Sequence, residues 1–200
     1  MAINLANNNS LANITALPSS VSGGAMTLIS TQTASSSATL SFTDIDDTYD
    51  EYVFKFYDIH PSTDNAGLSF NLSIDSGSNY NVTKTTTMFR AYNDEADSDA
   101  TLSYEASVDL AQSTAFQKIL YFIGNGNDES GVGELKIFSP SSTTFVKHFI
   151  AVGNTYYNGE YSMNDYTAGY GNTTSAVDAI QFKMSSGNID SGVIKLYGIS

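Results

Sequence analysis

Along most of the chain, apolar and polar side chains alternate one for one, the period of a strand with one buried and one wet face. Leu68, Phe70, Leu72 and Ile74 alternate with Ser69, Asn71 and Ser73. The turn-forming run Asp75-Ser76-Gly77-Ser78-Asn79 follows, and a further strand begins near Tyr80. Tyr52, Phe54 and Phe56 fall on one face of a preceding strand, with Val53, Tyr57 and Ile59 on the other. Two apolar faces predict a central strand, ended by Pro61. Leu135 and Ile137 alternate with Glu134 and Lys136, and Val146, His148 and Ile150 with Phe145, Lys147 and Phe149. Ile180, Phe182 and Met184 alternate with Gln181 and Lys183, and Ser186-Gly187-Asn188 leads to a last strand, Val193 to Ile199.

Two stretches depart from this pattern. Phe116, Ile119, Leu120 and Ile123 have helical spacing, with Ser113 placed to cap a helix, whereas Leu120 and Phe122 also fit a strand. The β-favouring aromatics and the stop at Gly124 tip the balance to a strand. Residues 92–113 are polar and acidic and predict a long excursion between strands. About ten strands separated by turn clusters, with no internal repeat, predict an all-β chain: a jelly-roll-like β-sandwich over residues 25–200.

The N-terminal residues are different in kind. Positions 1–43 carry no charged side chain, and the first two dozen are rich in Asn, Ala and Ser before Pro18 and Gly23-Gly24 break them. Residues 1–24 read as an extended N-terminal arm, with Ile3, Leu5, Leu11, Ile14 and Leu17 as apolar anchors for a neighbouring subunit. An uncharged arm can lie against another protein without burying ions.

A chain of 200 residues suits one domain and can bury roughly 70% of its unfolded surface. It has no cysteine, which excludes disulfides and thiolate metal sites. Neither a secretory signal nor an apolar run of about 20 residues is present, so synthesis in a cytoplasm without a membrane partner is expected. The formal net charge is −13, and the eight basic residues, Arg90 and seven lysines, are scattered singly. Phosphate backbones call for clustered cations, so nucleic acid is not an expected partner.

Little of the sequence suits catalysis. His60 and His148 are isolated, and no HExxH, GxSxG, P-loop or GxGxxG pattern occurs. Acidic residues cluster at Asp44, Asp46, Asp47, Asp50 and Glu51, and again at Asp94, Glu95, Asp97 and Asp99. Neither cluster has the glycine and distant glutamate of a calcium loop. No catalytic residue, cofactor or metal is expected, and the protein is expected not to be an enzyme. Tyr156, Tyr157, Tyr161, Tyr166 and Tyr170 lie among Asn154, Asn158, Asn164 and Asn172. Tyrosine beside amides can form a recognition surface for protein or glycan, and strand alternation would bury some of these rings as core.

Several phrases carry a likeness. Thr48-Tyr49-Asp50-Glu51-Tyr52 leads through Phe54-Lys55-Phe56 to Ile59-His60-Pro61, and Ser73-Ile74-Asp75-Ser76-Gly77-Ser78 follows. Ser185-Ser186-Gly187-Asn188-Ile189-Asp190 precedes a close on Ile194-Lys195-Leu196-Tyr197-Gly198-Ile199, and the opening holds Asn13-Ile14-Thr15-Ala16-Leu17-Pro18. The chain resembles, over nearly its whole length, a family of tailed-phage virion structural proteins from marine and cyanobacterial phages. The resemblance implies a bacteriophage structural protein on the outer surface of the virion, made in the host bacterial cytoplasm and commonly a homotrimer. It implies a capsid decoration (cement) protein that binds and stabilises the lattice of the major capsid protein. The alternative is a tail or head fibre, or knob, that binds host surface glycans. These motifs are strand and turn phrases, and the family supplies no catalytic residue to transfer.

Overall fold

The computed structural model describes residues 26–43 and 45–199. They form twelve strands: β1 Thr27–Ser37, β2 Leu40–Phe42, β3 Glu51–Pro61, β4 Ala66–Ser73, β5 Lys84–Asp94, β6 Ala100–Tyr104, β7 Gln117–Ile123, β8 Gly131–Phe138, β9 Lys147–Tyr157, β10 Tyr161–Gly171, β11 Ala179–Met184 and β12 Ile189–Ile199. Two antiparallel sheets result. The larger has the order β1-β12-β3-β8-β9-β10-β5-β6, and the smaller β2-β11-β4-β7. Among the described residues no helix is long and apolar enough to cross a membrane.

The alternating rows build the core between the sheets. Phe42, Phe70, Leu72, Ile180 and Phe182 of the small sheet meet Tyr52, Phe54, Phe56, Leu135, Phe149 and Leu196 of the large one. Aromatic rings interlock across the interface edge to face: Phe42 with Phe54 at 5.4 Å, Phe56 with Phe182 at 5.4 Å, and Phe70 with Phe149 at 5.0 Å between centroids. Each such ring removes a large apolar surface from water, and the perpendicular geometry sets ring edges against ring faces. The all-β sandwich expected from the alternation is the fold the chain adopts.

The structure also corrects the pattern in detail. β4 is buried on both faces, including Ser69, Asn71 and Ser73. Asn71 donates to the carbonyls of Tyr80 and Thr114, so two loops cover the side that alternation alone would leave wet. Ile74 falls just past the strand and is exposed. Residues 117–123 form strand β7, as the local composition favours. The excursion at 92–113 contains an edge strand of its own, β6, paired with the end of β5.

β3 is central, lying between β12 and β8, but its two faces are not those of a simple alternation. Its pairing with β8 shifts between Phe56 and Ile59, where Asp58 adopts φ 49°. This irregularity returns Ile59 to the core beside Phe56 while Tyr57 stays exposed. Gly192 of β12 lies against it with φ 123°. A Cβ at Gly192 would sit 2.8 Å from the Asp58 carbonyl oxygen and 2.9 Å from Ile59 Cα, so only glycine fits.

Candidate functional site

The outer face of the large sheet divides into two halves of different chemistry. Over β12, β3 and β8 it is ionic: Glu134 lies 3.9 Å from Lys55 and 3.1 Å from Lys136, and Lys195 sits over the Tyr57 ring. Over β9, β10, β5 and β6 the outward positions are His148, Ile150, Val152, Asn154 and Tyr156; Ser162, Asn164, Tyr166, Ala168 and Tyr170; Thr85, Thr87, Phe89, Ala91 and Asn93; and Ala100, Leu102 and Tyr104. None of these is Asp, Glu, Lys or Arg.

Register aligns the aromatic residues of that half. Tyr104, Phe89, Tyr166 and Val152 stand opposite one another across four neighbouring strands. Phe89 and Tyr166 stack at 4.9 Å with planes only 3° apart, although both are some 40% exposed. Leu102, on the edge strand, is 71% exposed, and Ile150 and Val132 are also open to solvent. A contiguous apolar face of this kind marks an interaction surface more often than scattered apolar residues do. The Phe149 side of His148 and Tyr170 adds a groove of about 520 Å³ on the same face.

The second feature lies at one end of the sandwich, on the inward side of the β9–β10 hairpin. Arg90, Tyr92, Asp99, Phe122, Tyr157, Asn158, Tyr161 and Met163 line a cleft of about 270 Å³. Strand pairing sets the walls: Tyr157 opposes Tyr161, Met163 opposes Tyr92, and Asp165 opposes Arg90. The guanidinium is enclosed by rings, 4.8 Å from the Tyr121 centroid, 5.6 Å from Tyr92 and 5.8 Å from Phe122. Arg90 Nε lies 2.9 Å from Glu105 Oε1, and neither Nε nor Nη1, both buried, makes a hydrogen bond among the described residues.

Asp165 lies beneath the same arginine. It is fully buried, accepts one hydrogen bond from the Tyr121 backbone N–H at 2.7 Å, and has no partner at Oδ1 among the described residues. Burial pushes its carboxyl up to about 6, against the opposing pull of that hydrogen bond and of Arg90. A carboxyl titrating near neutrality in a cleft can mark catalysis, but it can equally be structural. Among the described residues its one hydrogen-bond partner is a backbone amide, and its charged neighbours are Arg90 and Glu105.

The five tyrosines singled out in the sequence do not form one surface. Tyr157 and Tyr161 line the cleft, and Tyr156 with Tyr161 lines an adjoining depression of about 390 Å³ that also holds Asn93, Glu95 and Asn154. Tyr166 and Tyr170 belong to the uncharged outer face. Ile3, Leu5, Leu11, Ile14 and Leu17 lie outside the described residues. His60 contacts the Gly126 carbonyl through Nε2 at 3.0 Å, and His148 lies beside the Tyr170 ring.

The acidic clusters serve their own loops. Asp46 accepts from Tyr52 Oη at 2.7 Å and from the Thr48 N–H at 2.8 Å, and these bonds hold its carboxyl below the usual range. Asp94 accepts from Ser98 Oγ and from the N–H groups of Ser98 and Asp99, with the same effect on its carboxyl. Among the described residues no three metal-ligating side chains converge.

Sequence reasoning missed Arg90, Glu105 and Asp165 as a group. The available signal was a lone arginine and a lone aspartate, each inside a strand rich in aromatics. Their meeting depends on strand register, which alternation does not reveal. No family model, curated protein or solved structure matches this chain.

Proposed function

We propose that the chain is a non-enzymatic structural protein of a phage particle, a capsid decoration protein that assembles as a homotrimer and binds the lattice of the major capsid protein. The observation that carries this reading is the uncharged apolar half-face spanning β9, β10, β5 and β6. In a protein with net charge −13, like-charge repulsion opposes self-contact and most protein contact. The outward side chains of the half-face carry no charge, with Asp109 at the Tyr104 hydroxyl and Glu95 at the Tyr156 hydroxyl on its margin, so the centre of the face avoids that repulsion and the cost of desolvating charges. The stacked Phe89–Tyr166 pair and the exposed Leu102 give it the aromatic and aliphatic anchors of an interface core. Attachment to a capsid lattice through such a face fits the resemblance noted in the sequence.

The cleft beneath the β9–β10 hairpin favours a second reading, a fibre or knob adhesin that binds host glycans. Copy number separates the two. Quantitative mass spectrometry of purified particles is expected to find this chain at a level comparable to the major capsid protein. A level far below it supports the fibre, and absence from the particle removes both readings.

A further inference from the structure

We propose that the cleft lined by Arg90, Tyr92, Phe122, Tyr157 and Tyr161 binds one uncharged sugar unit of a surface glycan; the assignment rests on the adhesin reading. The walls are aromatic. Phe122 and Tyr157 stack on each other at 5.2 Å with planes 28° apart, and Tyr161 stands 5.8 Å from Tyr157 and 5.6 Å from Tyr92. These aromatic rings offer apolar surface of the kind that the C–H face of a sugar requires, and the Tyr161 phenol is held by Asp99 at the mouth of the cleft.

The polar groups complete the match. Arg90, which lines the cleft, stands 2.9 Å from Glu105 through Nε as an ion pair. Asp99 accepts from Tyr161 Oη at 3.1 Å and retains lone pairs for a further donor. A sugar hydroxyl both donates and accepts, which this mixture of groups demands. A few placed polar groups in an otherwise apolar cleft are the usual makeup of a small-molecule site.

Charge and size narrow the class. Glu105 offsets the guanidinium, Asp99 stands at the cleft, and the whole protein is strongly acidic, so a carboxylated sugar is repelled. A cationic ligand is refused because Arg90 already occupies the aromatic enclosure. The volume, about 270 Å³, falls just under the range of roughly 300–1,000 Å³ for small-molecule sites, which suits a single sugar unit.

The test is titration of the full chain with a panel of neutral hexose and N-acetylhexosamine oligosaccharides, and with sialylated and uronate oligosaccharides, followed by calorimetry. Neutral members are expected to bind best, with affinity lowered about tenfold or more by Tyr157→Leu, the order of one aromatic contact. Arg90→Gln is expected to weaken binding as well, and Phe145→Ser, on an exposed loop elsewhere, to leave it unchanged. If Arg90→Gln fails to fold, Tyr157→Leu, which keeps an apolar side chain, decides the matter. Stronger binding of the carboxylated members overturns the proposal. Neutral binding that both cleft variants leave intact overturns the cleft assignment while the adhesin reading stands. No binding by any member overturns both.

Discussion

Arg90 and Asp165 face each other as cross-strand partners on β5 and β10, yet the guanidinium pairs with Glu105 and leaves Asp165 a single hydrogen bond from the Tyr121 amide. Burial of Asp165 therefore outweighs the opposing pull of that hydrogen bond and of Arg90. Its folded-state value, about 6, stands above the ordinary value near 3.9, so between these the folded chain holds a proton that the unfolded chain has released. The associated stability is fully present below about pH 4 and is lost as pH rises through about 6.

Asp165→Asn keeps an acceptor for the Tyr121 N–H and removes the titration. Relative to the wild type, the variant is expected to gain up to about 2–3 kcal/mol between pH 4 and pH 7. Urea denaturation of both proteins at the two pH values measures this. A difference independent of pH contradicts it.

Lys84 predicts the opposite slope at higher pH. Its side chain is fully buried, donating to Asn71 Oδ1 and to the Val82 carbonyl, and burial pushes its ammonium down to about 7. The unfolded chain keeps its proton up to about 10.4, so this group's contribution to stability is lost as pH falls through about 7 and grows above it. Between pH 7 and pH 9 the wild type is expected to gain up to about 2–3 kcal/mol relative to Lys84→Met. Equal slopes for the two proteins in denaturant titrations contradict the assignment.

Gly192 is a purely steric prediction. With φ 123° and backbone of β3 within 3 Å of any added Cβ, Gly192→Ala is expected to destabilise by about 2–4 kcal/mol. Asp58→Gly, on the other side of the same irregularity, relieves a left-handed non-glycine residue and is expected to be neutral or stabilising by up to about 1 kcal/mol. Thermal melts of the two variants give the comparison, and a tolerated alanine contradicts the geometry.

These cases show where a sequence is legible. Phe70, Leu72, Phe182 and Leu196 announce the sandwich because period two reflects burial directly. The turn at Asp75–Asn79 is equally plain, since it rests on local residue chemistry. Ile59 was misplaced because Asp58 breaks the period, and a bulge leaves no mark in an alternation. Asn71 was read as wet because the loops that cover it come from distant segments. The Arg90 group and the uncharged half-face were hidden for the same reason: both come into being only when β5, β6, β9 and β10 pair in one register.

The assembly surface makes its own prediction. Phe89 and Tyr166 are each some 40% exposed and directly opposite, so Phe89→Lys with Tyr166→Lys is expected to cost about 1–2 kcal/mol of folding stability, from the lost ring stack and the facing like charges, and to leave the domain folded. The same pair puts like charges at the centre of the proposed contact. Sedimentation velocity is expected to show the wild type as a trimer and the double variant as a folded monomer. An unchanged oligomer places the contact elsewhere.

The most direct measurement of the proposed role is cryo-electron microscopy of the phage particle on which this protein is proposed to sit. The account predicts twelve-stranded domains on the outside of the capsid shell, with Phe89, Tyr166 and Leu102 covered by a protein neighbour. Domains found only on the tail, or a capsid position that leaves this face open to solvent, contradict it.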